Sequence, residues 1–420
     1  MTQDWSRLLS PGLSPVERLI RWMCIRLTPR CLWLALAGLV LVAQAPAHAA
    51  AIKTVEVALI SLQDDARYQP RRLEHHYIGH PAGRLLTAAQ LASQDTALAL
   101  NAEGLRIAIQ DVTLPHAQAL PASLQRLIDT GVRYWVLDLP APLVSASAKA
   151  AGQHALVFNA SARDDVLRAQ QCASNLFHVM PSDAMRSDAL AQYLAERNWR
   201  KALVLSGESS ADQALAMAWQ RAAKRYGIKT TATKAFKLSG NPAERDMANT
   251  RLLTKDRDPD VVAVWDADGE FARTLPYATQ WPRPVVGSNG LVTLAWHSHW
   301  ERNGGPQLSR RFRQMAQRDM VSQDWAAWLS VKTVAALLSK TGLSSVQEQA
   351  MALRTRIYVD GYKGPRLSYR AWDGQLRQPL FVAHADGVVA VAPSDGVLHP
   401  TETMDTLGLD QPESTCKLQP

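Results

Sequence analysis

The familiar catalytic signatures are missing from this 420-residue chain. It has no glycine-rich loop ending in lysine to cradle nucleotide phosphates, no G-x-G-x-x-G, no H-E-x-x-H, no G-x-S-x-G elbow and no C-x-x-C. The best-supported routes to an enzyme are thereby removed. The chain is read as a binder rather than a catalyst, with no cofactor and no metal implied. Its 46 Lys and Arg against 38 Asp and Glu give a net charge of +8. They are scattered, with no basic block and no aromatic-basic stripe, so the sequence carries no nucleic-acid footprint. Cysteine is scarce, at four residues. Long apolar runs are scarce too. Leu32 to Ala43 is uncharged and apolar, but too short for the roughly 20 residues a membrane-spanning helix needs.

That run has the flanks of an export signal. Arg18, Arg21, Arg26 and Arg30 precede it, and Ala47-His48-Ala49 follows with small residues at the two positions a signal peptidase reads. The expectation is a signal peptide over residues 1–49 cleaved after Ala49, with an uncleaved anchor as the alternative. Met23 would start a more compact leader. Cys24 and Cys31 lie before the apolar run, whereas a lipoprotein cysteine follows it, so a lipid anchor is not expected. The leader's five arginines and two acids account for three of the eight positive charges, leaving +5 on 371 residues, a length for two ordinary domains. Of the cysteines only Cys172 and Cys416 remain. In an oxidising compartment two can close one disulfide, and that pairing is expected over two separate thiols.

The remaining chain alternates strand and helix. Strands are expected at 54–62, 105–109, 134–137 and 155–158, with helices at 81–102 and 121–129. The rhythm restarts after Pro181 with helices at 183–197, 210–226, 243–253 and 268–277, and strands at 201–205, 229–236, 261–265 and 284–286. Such alternation builds βαβ units with parallel sheets and right-handed crossovers. Two successive units, about 52–177 and 181–287, predict two similar lobes. Beyond them come amphipathic helices at 323–340 and 344–353, the second capped by Ser344. Short antiparallel strands follow at 367–369, 380–383 and 388–390, with turns at Asp373-Gly374 and Asp386-Gly387.

In open parallel sheets a ligand sits beyond the carboxyl ends of the strands, where loops and helix N-termini converge. That rule selects residues 63–67, 138–142 and 159–164 in the first unit, and 206–210 and 266–270 in the second. Arg163 could grip a carboxylate with two parallel bonds. Asp266, Asp268 and Glu270 could hold an ammonium, a cation or hydroxyls, or simply cap the next helix, and Trp265 offers a ring face. The histidines are weaker. His76 and His80 have helical spacing for a metal, but His80 precedes Pro81, which disfavours helix. His75, His76 and His80 therefore read as a solvated loop or cleft edge, and His297 and His299, between Trp296 and Trp300, as a packed aromatic loop.

Several stretches in order carry a family resemblance. They are Asp129-Thr-Gly-Val-Arg-Tyr-Trp-Val-Leu137, Leu176-Phe-His-Val-Met-Pro-Ser182, Tyr193 to Leu205, and Gly364-Pro-Arg-Leu-Ser-Tyr-Arg-Ala-Trp-Asp-Gly374. The chain resembles the type I periplasmic solute-binding proteins, in the branch of the leucine/isoleucine/valine-binding protein. Arg71-Arg-Leu-Glu74 with Gly79-His-Pro81, Phe158-Asn-Ala-Ser-Ala-Arg-Asp-Asp165 and the ending Leu407 to Cys416 are similar to binding proteins that accompany PQQ-dependent alcohol dehydrogenase systems.

The resemblance implies an α/β fold of two Rossmann-like lobes with parallel sheets, joined by a three-crossing hinge near Pro181, Gly287 and 355–365. The first lobe would hold 50–179 and about 289–356, the second 180–288 and about 357–399, with a tail at 400–420. It implies a periplasmic location, a small-molecule ligand gripped by lobe closure, an ABC permease as partner and a setting of alcohol oxidation, without implying that PQQ itself is bound. Ligand contacts would come from Ser161 and Arg163, from Trp265, Asp266 and Glu270, and more weakly from Gln63 and Trp325. One departure matters. Amino-acid-binding relatives use a Ser-rich loop after the third strand, where this chain has Asp138-Leu-Pro-Ala-Pro142, and proline has no N–H to donate. The rival expectation is an accessory or sensor protein of a dehydrogenase system that binds a protein partner.

Overall fold

The first strand, β1 (Lys53–Leu62), is buried over its last six residues, as a strand flanked on both sides must be. The computed structural model describes residues 52–340 and 342–418; the leader, with its cleavage point at Ala49, Met23, Cys24 and Cys31, lies outside them. After β1 come a short α1 (Pro70–His75), α2 (Leu86–Ala102), β2 (Leu105–Leu114), α3 (Leu120–Asp129), β3 (Tyr134–Asp138), α4 (Ala141–Ala151), β4 (Leu156–Asn159) and β5 (Leu176–His178). The five strands form one sheet in the order β2-β1-β3-β4-β5, every pair parallel. Every residue of β3 and β4 is buried, which is why they read as unbroken apolar runs rather than as alternating ones.

The second half repeats the plan. It comprises α5 (Asp183–Glu196), β6 (Lys201–Ser206), α6 (Ser210–Arg225), β7 (Lys229–Ala235), α7 (Thr250–Leu253), β8 (Val261–Trp265), α8 (Leu275–Ala278) and β9 (Val285–Gly287). Its sheet is also wholly parallel, in the order β7-β6-β8-β9. Ser182 caps α5, and Ser209 and Asp212 form a reciprocal capping box on α6. Gly131 and Gly227, at φ +74° and +68°, end the helices before them as expected.

The rest is divided between the halves. β10 (Val292–Leu294), α9 (Gly305–Ala316), α10 (Ser322–Leu338), α11 (Val346–Thr355), β11 (Val359–Asp360), β12 (Arg366–Tyr369), β13 (Leu376–Arg377), β14 (Leu380–His384) and β15 (Gly387–Ala392) follow. Sheet β10-β14-β15 packs on α5 of the second half, while α9 and α10 pack on α2 of the first. Ile357, Val359, Leu367, Tyr369 and Leu376 share a core with Phe177 and Trp325. The chain therefore crosses between the halves after β5, between β10 and α9, and between β13 and β14. Pairing of β10 with β14 carries the second crossing past Gly287, and the parallel bridge of His178 to Gln375 keeps 357–377 with the first half.

Other expectations are adjusted as well. The helix expected at 268–277 shrinks to α8, with Gly269 at φ +81° breaking its expected first turn. The helix expected at 243–253 becomes a 3₁₀ turn over Pro242–Ala248 followed by α7. Ser345, not Ser344, caps α11. Helix α10 was expected to be amphipathic, yet 14 of its 17 residues are buried.

Candidate functional site

In the first half, the carboxyl end of β3 delivers Asp138, almost fully buried. Its carboxylate is already engaged: Arg67 Nη2 donates to it at 2.9 Å, and so does the Tyr68 hydroxyl. Asp65 holds the other side of the Arg67 guanidinium. The donor-poor proline loop is thus filled by the chain's own segment after β1. The loop after β4 is held from beneath. Arg168, buried, donates to the carbonyls of Ala162, Asp164 and Met180 at 3.2, 3.0 and 2.7 Å and to Gln375 Oε1 at 2.9 Å. Ser161 is buried, its hydroxyl directed to Leu139 O at 3.3 Å. The same loop presents Arg163, whose Nε lies 3.6 Å from the Asp183 carboxylate.

In the second half, Asp266 is buried and shapes its own turn. Its carboxylate accepts from Ala272 N–H at 2.9 Å, and its N–H donates to Ser288 Oγ at 2.9 Å. Burial holds its carboxyl above the usual carboxylate range. Trp265 leans on Trp219 with ring centroids 5.5 Å apart, and its indole N–H is buried without a partner. Glu270 and Asp268 face the first half and are met there by arginines: Arg71 reaches Glu270 at 2.9 Å, and Arg72 pairs with Asp268. His75 Nδ1 lies 3.1 Å from Arg273 Nη1. Gly269 allows this approach, since a Cβ there would stand 3.1 Å from the Tyr77 ring. The segment after β1 therefore touches both halves, through Arg67 on Asp138 of the first and through Arg71 and Arg72 on Glu270 and Asp268 of the second.

His80 sits where these elements meet. Burial, followed by the positive charge of Arg163, Arg72 and Arg186, pushes its imidazole down to about 3, and Asp268 offsets this only in part. The native ring is neutral, while in the unfolded chain it takes a proton below about pH 6.5. Stability from this group is therefore complete above that pH and is lost as pH falls toward the folded value. Between pH 7.5 and about pH 5 the linkage is about 2 kcal/mol. Replacing His80→Gln should shrink the acid-induced loss of unfolding free energy by that amount, measured by urea titration at the two pH values. An identical loss in both proteins would show that His80 is not held neutral.

The other expected contacts are not brought together. Gln63 is exposed and is held through its backbone, its N–H donating to Leu114 O and its carbonyl accepting from Arg84, each at 2.8 Å. Trp325 lies in the core of the first half and donates to Gly361 O at 3.0 Å. His297 faces His384 O at 3.0 Å, and no group of three His, Cys, Asp or Glu is arranged for a metal among the described residues. Cys172 and Cys416 are bonded, with an S–S distance of 2.04 Å. Arg72, Arg186 and Tyr77 carry no candidate role in the sequence reading, and His80 reads there only as a solvated loop or cleft edge. The available signal was the crowding of charge over residues 64–72.

Comparison with known proteins agrees with this architecture. The family model described as Periplasmic binding protein matches residues 87–281. A leucine-, isoleucine-, valine-, threonine- and alanine-binding protein from Brucella ovis, in a closed conformation, superposes with a TM-score of 0.67 at 13% identity, over 87% of this chain and 99% of that one. An ABC transporter substrate-binding protein from Desulfitobacterium hafniense, in complex with Leu, gives 0.63 at 16% identity, over 81% and 100%. A solute-binding protein of an ABC transporter from Rhodopseudomonas palustris, in complex with 3,4-dihydroxybenzoic acid, gives 0.60 at 13% identity, over 79% and 93%. No curated protein matches the sequence. The fold is the type I periplasmic-binding-protein fold that the resemblance implied.

Proposed function

We propose that the protein is the periplasmic solute-binding component of an ABC-type transport system, exported by its leader and closing two lobes on a small polar or anionic solute. The observation that supports this reading is the meeting of the two halves beyond the strand ends. The loop after β8 is met by the segment after β1 of the other sheet, at Arg71–Glu270 and Arg72–Asp268. Charge pairs between the halves are what a closing device can use to hold its closed form. Its nearest chemistry to a ligand anchor is Arg163. Leucine and 3,4-dihydroxybenzoic acid, bound by two of the structural relatives, both carry a carboxylate, which is the group Arg163 is suited to hold. The link to alcohol oxidation is part of the proposal and stands on the sequence stretches around Arg71 and at Leu407 to Cys416.

A thermal-shift screen with alcohols, aldehydes, short carboxylates, amino acids and PQQ tests the reading. A ligand of the native state must raise the melting temperature, by an amount that grows with the logarithm of its concentration. The expected hit is abolished by Arg163→Ala. An unchanged affinity removes Arg163 from the site. Silence toward every solute favours the second reading, an accessory or sensor of a periplasmic dehydrogenase system that binds a protein partner. One observation supports that reading: residues 66–80 fill the cleft, and Arg67 and Tyr68 saturate Asp138.

A further inference from the structure

At the hinge end of the cleft lies a narrow, tight crevice, lined by Gly79, Arg163 and Arg186, by the crossing at Met180 and Pro181, by β10 and by the first turn of α10. Its cationic groups exceed the carboxylates set against them. Arg186 donates Nε to Thr293 O at 2.9 Å and Nη1 to Asp183 at 3.2 Å, and Arg163 leans on the same Asp183. One carboxylate thus serves two guanidiniums. Burial, and then the charge of Arg163, lower Arg186 to about 10.

The helix adds to this field. The first-turn N–H groups of α10 have no partner within the helix, and its macrodipole places positive potential at that end. The nearby Asp324 is already matched by Arg318 at 2.6 Å.

Gln323 supplies a second, independent feature. It is 4% exposed, and its Nε2 donates to Gly79 O at 3.2 Å. Its Oε1 is left buried with no partner. A buried acceptor without a donor is costly. Turning the amide over would only set Oε1 against the Gly79 carbonyl. A fully deprotonated anion would face Oε1 unfavourably, whereas an anion carrying an O–H would satisfy it.

We infer that this crevice binds a small planar monoanion bearing one O–H, the chemistry of bicarbonate, with its charged oxygens on Arg163, Arg186 and the first turn of α10 and its hydroxyl donated to Gln323 Oε1. The ion ties the crossing at Met180 and Pro181 to β10 and α10, so it stiffens the hinge whichever solute enters the cleft. Arg163 is shared with the solute proposal, so the test turns on Arg186 and Gln323.

The probe is sodium bicarbonate at mildly alkaline pH against sodium nitrate, which matches its shape and charge but has no hydrogen to donate. Sodium chloride at equal ionic strength is the baseline. Bicarbonate should raise the melting temperature by roughly 2 °C over chloride, with nitrate well below it. Gln323→Leu keeps the charge and should erase the difference between the two ions. Arg186→Gln should erase the response to both. Equal stabilisation by nitrate and bicarbonate in the unaltered protein overturns the O–H assignment. No shift with either overturns the site, leaving the solute proposal to its own screen. If Arg186→Gln does not melt cooperatively, Gln323→Leu decides alone: a bicarbonate preference that survives it overturns the proposal.

Discussion

Cys416→Ser is expected to lower the unfolding free energy by about 5 kcal/mol, because the bridge to Cys172 closes one of the longest loops this chain can form. The cysteines are 244 positions apart, and the conformational freedom that a cross-link removes from the unfolded chain grows with the logarithm of loop length. The bridge also joins parts that pack on different halves. Cys172 precedes β5 in the first half. The tail that carries Cys416 packs first against the second: Leu407 is buried with Met185, Ala189 and Leu380, the Tyr226 hydroxyl donates to Thr406 O at 2.9 Å, and Gly408 N–H donates to Asp188 at 2.8 Å. The bond therefore returns the tail covalently to the half it had left. Urea unfolding of the unaltered protein with and without reductant, beside Cys416→Ser, measures the effect. The two routes should give the same lowered midpoint with a steeper denaturant slope, since the uncrosslinked chain exposes more surface. A loss under about 1 kcal/mol by both routes would mean that the tail holds its place without the bond and that the unfolded chain gains little freedom from its removal.

Much of the frame was legible in the sequence because it is written locally. β3, β4 and β8 are short apolar runs, and they are buried from end to end. Gly131 and Gly227 stop their helices where a left-handed residue is required. What could not be read was whatever depends on partners far along the chain. Arg72 and Asp268 are 196 positions apart, and Arg186 and Thr293 are 107. No periodicity encodes such meetings. Trp325 shows the same limit from the other side. It was a weaker candidate contact, yet α10 is enclosed by α2, β3, β11 and α11, so a residue that would face a ligand on an exposed helix faces the core instead. Arg163 was legible as a strand-end cation, but its competition with Arg186 for Asp183 was not. That competition, rather than either arginine alone, gives the hinge its surplus charge.

The tail offers a further test of how the halves are joined, through a buried carboxylate. Asp405 accepts from Arg370 Nε at 2.8 Å and from Arg377 Nε and Nη2, each at 2.9 Å. Arg370 and Asp405 are both nearly inaccessible to solvent. Arg370 also donates to Leu407 O at 2.7 Å, so one guanidinium fixes both the 3₁₀ turn at Thr403–Thr406 and the residue after it. Asp405→Ala would leave two arginines facing each other with one of them buried, and breaking such a pair on one side costs about 3–5 kcal/mol. Asp405→Asn keeps the shape and one acceptor and should cost less. The more searching measurement is the double variant Asp405→Ala with Cys416→Ser. Both substitutions release the same segment, so once one has freed it the other has little left to undo. The combined loss should fall short of the sum of the single losses by at least about 1 kcal/mol, as expected for residues acting through one element. Strict additivity would show that the turn at Asp405 and the bridge at Cys416 are anchored separately, and that the tail is two independent attachments rather than one strap across the halves.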